Sequence, residues 1–129
     1  MVVKERIQSI IENYVAANNT LDADAVAELF APDARMERVP GTPPIEGKEA
    51  IRQAYRQLLS ALSRSDVTAI NTFIFGNGAA FLYRGEFTAK SGKSASVDGI
   101  DVLEINEAGQ IQMIRFYWDP APLYAILQG

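Results

Sequence analysis

At Asp66 the hydrophobic period of the sequence changes, and that change limits the folds open to it. Before it, apolar residues recur at helical spacing: Ile7, Ile10, Ile11, Tyr14 and Val15 fall at i, i+3, i+4, i+7 and i+8. After it come runs rich in β-branched and aromatic residues, separated by glycine-bearing polar turns. Helices first and meandering strands afterwards define an α+β chain. Its 129 residues fit a single domain, 1–129, with a core large enough to fold alone.

The pattern predicts a helix from Val3 to about Asn18. A second, shorter helix follows, capped by Asp22 or Asp24, with Ala23, Val26, Leu29 and Phe30 on its inner side and Pro32-Asp33 at its end. Ala34 to Val39 reads as a short strand, with Met36 and Arg38 on one face and Arg35 and Glu37 on the other. Pro40-Gly41-Thr42-Pro43-Pro44 is too proline-rich for a strand and reads as a loop. A third helix runs from Gly47 to about Leu62, with Ile51, Tyr55, Leu58, Leu59 and Leu62 as its apolar stripe. Strands are expected over Val67–Phe75, Ala79–Ala89, Ser94–Ile105 and Gln110–Trp118, then a turn or two of helix over Leu123–Leu127. Helices on one face of a curved, mostly antiparallel sheet would enclose a conical cavity fit for a small molecule.

Two polar groups stand on apolar faces. Period-2 alternation puts Val97, Gly99, Asp101, Leu103 and Ile105 on one side of their strand, so a carboxylate interrupts an apolar row. If that side is the core, scarce water favours the neutral acid, which can donate a hydrogen bond. The alternative from spacing alone is an outward, solvated Asp101, since most Asp residues are exposed. Tyr14 lies on the inner side of the first helix, where its hydroxyl needs a polar partner, a backbone carbonyl or water in the plainest case. On the return strand Gln112, Ile114, Phe116 and Trp118 share a face and supply part of an aromatic wall.

Missing residue types exclude whole classes of chemistry. The chain has no His and no Cys, which removes a Ser-His-Asp triad, a cysteine nucleophile and any His- or Cys-based metal site. No glycine-rich phosphate loop occurs, and no clustered Asp/Glu pattern suggests a metal. The net charge of −4 argues against nucleic acid or an anionic membrane as partner, and no apolar run reaches membrane-spanning length. The N-terminal residues enter a charged amphipathic pattern and not a signal peptide, so a cytoplasmic location is expected.

The order of elements resembles the nuclear-transport-factor-2-like (SnoaL-like) superfamily of cone-shaped domains, and within it the bacterial ketosteroid isomerases (steroid Δ5-3-ketoisomerases). The resemblance covers nearly the whole chain. It is carried by Gly41-Thr42-Pro43-Pro44-Ile45-Glu46-Gly47, by Val97-Asp98-Gly99-Ile100-Asp101-Val102, and by Gly109-Gln110-Ile111-Gln112 leading to Tyr117-Trp118. In ketosteroid isomerase, a reference case for a carboxylic acid kept neutral, a tyrosine and a protonated aspartic acid hold the substrate's ketone oxygen while a carboxylate base removes a carbon-bound proton. The resemblance places the oxyanion tyrosine on Tyr14, the protonated acid on Asp101, a supporting tyrosine on Tyr55 and a pocket tryptophan on Trp118, with Phe116 in the apolar wall. It implies no metal and no organic cofactor, and a homodimer through the outer sheet face, where Ile100 and Val102 need cover.

Two positions depart from the family pattern. A second tyrosine falls on Phe30, and the base, an Asp before the proline-rich loop, falls on Arg38, which stays protonated. Glu37 would serve as base if a bulge or one-residue slip swung it inward. Glu86 is a further candidate, although Phe81, Tyr83 and Phe87 form the more apolar side of its strand, which sends Glu86 outward. Alternatively Arg38 makes the pocket a site for an acidic ligand, or the chain is a non-catalytic binding domain or a polyketide cyclase/dehydratase-like relative with Arg38 at the surface. The leading expectation is isomerase chemistry on a steroid or similar cyclic ketone. Its site comprises Tyr14, Asp101, Tyr55 and Glu37 as catalytic groups and Arg38, Phe30, Phe116 and Trp118 as substrate contacts.

Overall fold

The computed structural model describes residues 2–38 and 41–128. Val39 and Pro40, the expected end of the first strand and start of the loop, lie outside the described residues. Helix α1 spans Lys4–Asn19 and buries Ile7, Ile10, Ile11 and Tyr14 as the spacing predicts, with Ala17 buried in addition and Val15 only half-buried. Helix α2 spans Ala23–Glu28, and the Asp22 side chain caps it by accepting from the Ala25 amide at 3.0 Å.

The next boundary differs from expectation. Strand β1 spans Phe30–Glu37, so Phe30 opens a strand instead of closing α2, and Pro32 lies inside it. The proline is tolerated because the pairing there is irregular: β1 shifts register against its neighbour Ile111–Trp118 between Phe30 and Arg35, and its other neighbour reaches only Arg35 and Met36. That neighbour is β2, Ile45–Glu46, two residues long and too short to leave a periodic signal. Helix α3 spans Lys48–Leu59 and buries Ile51, Tyr55 and Leu59. It stops short of Leu62, which is buried at the start of β3, Leu62–Phe75, opposite Ala89. Strand β3 therefore begins five residues before the expected Val67.

Strands β4 (Gly78–Ala89), β5 (Ser94–Ile105) and β6 (Ile111–Trp118) follow as the alternation predicts, and α4 spans Ala121–Leu127. The β5–β6 turn is fixed by Asn106, whose Oδ1 accepts from the amides of Ala108 and Gln110, and by Gly109 at φ 78°. The six strands form one curved sheet in the order β2-β1-β6-β5-β4-β3, antiparallel throughout except for the parallel β1–β6 pair.

The core lies between the helices and the inner sheet face. Val97, Gly99, Asp101, Leu103 and Ile105 are all buried along β5. Ile7, Ile11 and Ile51 from the helices pack into the same cluster as Phe81, Leu103, Ile111 and Ile114 from the strands. Glu86 faces solvent and accepts from the Ser96 hydroxyl, away from Arg38. Helix α4 packs back on β4 and β5. No described helix is long and apolar enough to cross a membrane.

Candidate functional site

The sheet and helices enclose a cavity of about 450 Å³. Register determines what faces it. Asp101 on β5 stands between Phe81 on β4 and Phe116 on β6. One step along the same face, Gly99 stands between Tyr83 and Trp118. A Cβ at Gly99 would lie 2.8 Å from the Tyr83 hydroxyl oxygen and 2.9 Å from its ring, so the absent side chain is the space that Tyr83 fills. From the helical side, α1 contributes Tyr14 and α3 contributes Tyr55.

The buried end of the cavity is polar but uncharged. The Tyr14 and Tyr55 hydroxyl oxygens are 2.5 Å apart. Two hydroxyls sharing one contact use one of their two protons in it, which leaves the second for another acceptor. Burial pushes both phenols well above their ordinary range, so both stay protonated. Asp101 is 5% exposed. Burial pushes its carboxyl well above the usual Asp range, and its Oδ1 has no hydrogen-bond partner among the described residues. A buried unpartnered oxygen costs about 1–3 kcal/mol of stability and is a candidate contact for a ligand. Asp101 acts electrostatically on Tyr14, Tyr55 and Tyr83, so the four groups share one environment.

The other end is exposed and cationic. Arg38 follows the last residue of β1 and lines the cavity with its side chain. Its backbone carbonyl accepts from Trp118 Nε1 at 2.7 Å, which ties its anchor to the aromatic wall. Phe116 and Trp118 meet edge to face, with centroids 6.3 Å apart, and Tyr124 of α4 packs on Trp118 in the same way.

Two expected site residues lie elsewhere. Glu37 is turned to the outer face: no slip occurs at the end of β1, where Met36 pairs with Ile114 and Glu37 with Arg115. There it accepts from the Arg115 and Arg35 guanidinium groups, and Arg115 holds its carboxyl below the usual range. Phe30 is fully buried behind Tyr55, at a centroid distance of 6.2 Å, and does not line the cavity. The sequence places Tyr83 with Phe81 and Phe87 on the apolar side of β4 and does not mark it as cavity lining; the available signal is Gly99, a gap in a row of larger residues. Nor does the sequence mark Leu123 and Tyr124 of α4 as cavity wall. Among the described residues no three acidic side chains come together as metal ligands would.

An α+β cone with a buried hydrogen-bonding end and an apolar wall defines a class of small-molecule-binding domains. The SnoaL-like domain model matches residues 11–114, and the chain belongs to that family, with its NTF2-like fold. A steroid Δ-isomerase of Nocardioides simplex is 30% identical over 118 residues, covering 91% of this chain and 93% of the relative. Among solved structures, a protein from Jannaschia sp. CCS1 described as a SnoaL-like polyketide cyclase superposes with a TM-score of 0.83 at 14% identity, covering 100% of this chain and 96% of its own. An NTF2-like protein of unknown function from Burkholderia pseudomallei K96243 gives 0.82 at 16% identity, covering 98% and 100%. At those identities the two structures speak for the fold alone.

Proposed function

We propose that this chain is a ketosteroid isomerase-like protein acting on the oxygen of a steroid or similar cyclic ketone, as a cytoplasmic homodimer. The observation that carries the reading is Asp101: a buried carboxyl with an unpartnered oxygen, its ionised form disfavoured by burial, in an apolar cavity beside the Tyr14–Tyr55 pair. A ketone oxygen set against Asp101 and Tyr14 would accept two hydrogen bonds. As a proton leaves the neighbouring carbon, charge develops on that oxygen, where fixed donors in a low-dielectric site stabilise it most. The likeness to the Nocardioides simplex isomerase supports the same chemistry.

The proton acceptor is the weak part of the site. Asp101 is the sole carboxyl lining the cavity among the described residues, and it is held protonated. Proton removal then falls to water, and the expected isomerase rate is low. The test is ultraviolet detection of a β,γ-unsaturated 3-ketosteroid converting to its conjugated isomer. The parent should act slowly above buffer and lose that activity with Asp101→Ala. Arg38→Asp should raise the rate by roughly 10²- to 10⁴-fold, the usual worth of a positioned general base. A silent parent that stays silent as a folded Arg38→Asp protein rules out the isomerase reading.

Arg38 also favours a second reading, a non-catalytic binding domain or cyclase-like relative. Quenching of Trp118, the chain's single tryptophan, by a ligand that the parent leaves chemically unchanged would support it. The dimer proposal rests on the outer sheet face, where Leu82, Ile100 and Tyr117 lie side by side across β4, β5 and β6, and Phe73 and Phe75 on β3 are 70% and 93% exposed. Gel filtration should give a dimer at micromolar concentration and a monomer for Ile100→Asp. A monomeric parent contradicts it.

A further inference from the structure

The polar groups of the cavity sort by charge along its length. At the buried end stand three phenols and the Asp101 carboxyl, which is buried with an unpartnered oxygen and no basic partner among the described residues, a setting that disfavours its ionised form. At the exposed end stands one guanidinium, always charged. Among the described residues the lining therefore carries a single formal charge, and it is positive.

Like Arg6, and unlike the six remaining arginines, Arg38 has no carboxylate partner among the described residues. Arg35, Arg52, Arg56, Arg64, Arg84 and Arg115 each form an ion pair. Arg38 forms none among the described residues, although it is the arginine whose side chain borders the cavity. Its charge is felt at the Tyr55 hydroxyl, where it opposes the effect of burial, so the two ends of the cavity are electrostatically connected. Its main chain is fixed to Trp118, which limits where the guanidinium can go. A fork of donors at one rim of an apolar slot, with no protein anion to satisfy it, is a receptor for an oxyanion.

We propose that the ligand of this cavity is a ring-bearing monoanion, with its keto or phenolic oxygen at Tyr14 and Asp101 and a carboxylate or sulfate group at Arg38. The inference rests on the oxygen-binding role given to Tyr14 and Asp101 above, and it adds the charge and the second anchoring group. The match is to a monoanion because a dianion would leave one charge without a partner against the aromatic wall. The rings fill the apolar span between, against Phe116 and Trp118. A neutral ketosteroid fills the same span but leaves Arg38 to water.

Trp118 fluorescence gives the assay, with three flat probes: 2-naphthol, 6-hydroxy-2-naphthoate and 6-hydroxynaphthalene-2-sulfonate. All three present a phenolic oxygen, and the last two add an anion at the far end. The parent should bind at least one anionic probe roughly five- to tenfold more tightly than 2-naphthol, an advantage that shrinks with added salt. Which anion is preferred assigns the group. Arg38→Leu should erase the preference by weakening the anionic probes, and Arg38→Lys should retain part of it. Equal affinity for neutral and anionic probes, or a preference that survives Arg38→Leu, overturns the proposal. Failure of the oxygen-binding role reads differently: 2-naphthol binding would be insensitive to Asp101→Ala and Tyr14→Phe. If none of the three probes binds, both ideas fall.

Discussion

Replacing Asp101 with Asn should change how stability depends on pH more than it changes stability itself. Asp101 is held between Phe81 and Phe116, is 5% exposed, and has burial as the cause of its raised pKa. In the unfolded chain it titrates near its ordinary value of 3.8. Between that pH and the higher folded pKa, the native state holds one proton more than the unfolded state. Unfolding free energy then falls with rising pH, by about 1.4 kcal/mol per unit. The contribution is complete below the unfolded pKa and is lost as pH rises, until the folded carboxyl ionises as well. Two pH units inside the window amount to about 2.7 kcal/mol. Asp24, Glu28, Glu37 and Asp98 have lowered pKa values from their arginine partners and push stability the other way, gaining as pH rises. Their effect is common to both proteins and cancels in the difference.

The measurement is urea unfolding followed by Trp118 fluorescence, for the parent and Asp101→Asn at one protein concentration, from about pH 4 to about pH 8. The difference between the two should slope against the parent as pH rises and then level off, and the bend gives the folded pKa of Asp101. Asparagine keeps the shape and cannot ionise, so cavity formation does not enter. Curves that stay parallel across the range would mean that Asp101 titrates normally in the native state. The neutral-donor argument for the site would then fail.

Tyr55→Phe removes the partner of the buried Tyr14 hydroxyl; the expected loss is about 1–3 kcal/mol on urea unfolding, and an unchanged midpoint would deny the contact any weight. Gly99→Ala places a methyl 2.8 Å from the Tyr83 hydroxyl, so overpacking should cost about 1–3 kcal/mol, and measured against a Tyr83→Ala background most of that cost should be recovered. Without that recovery, the close approach is not the cause. Asn19→Ala deletes three bonds that tie the end of α1 to β3: to the Val67 carbonyl at 2.9 Å, from the Val67 amide at 2.7 Å and from the Ser65 hydroxyl at 3.4 Å. It should cost about 1–3 kcal/mol and speed hydrogen exchange at Val67, and unaltered exchange there would refute the tether.

Elements whose burial follows one period were legible in the sequence. The β5 row of Val97, Gly99, Asp101, Leu103 and Ile105 and the α1 stripe through Tyr14 are buried as their spacing predicts. What failed were segments whose state is set by neighbours far along the chain. Strand β3 begins at Leu62, but Ser63, Arg64 and Asp66 are polar and exposed because an edge strand has one partner, so no alternation marks its first half. Pro32 reads as a stop to a helix, whereas the β1–β6 register shift accommodates it within a strand. Alternation with Met36 puts Arg38 inward and Glu37 outward, as the structure has them, but nothing local excludes a slip that would exchange the two. Pairing of Met36 with Ile114 settles that, at a separation no period can span. Tyr83 was hidden for a related reason: its hydroxyl reaches the cavity because of Gly99, on another strand.

The two ends of the cavity differ in what a substitution costs the fold. Asp101, Tyr14 and Tyr55 are core positions, each packed against aromatic neighbours, so a change there disturbs stability as well as chemistry. Arg38 is exposed and without a partner among the described residues, and its hydrogen bond to Trp118 uses the backbone, which any residue supplies. Exchange at position 38 should therefore leave the fold nearly untouched, within roughly 0.5 kcal/mol, while reversing the charge at the cavity rim. The buried end only presents donors to an oxygen, a task common to an enolate, a phenol or a bound ketone. On the proposed reading, residue 38 sets what happens beyond that oxygen: a carboxylate there would take a proton from carbon, and a guanidinium would hold an acid. Likeness of fold, a TM-score of 0.83 at 14% identity, speaks for neither property.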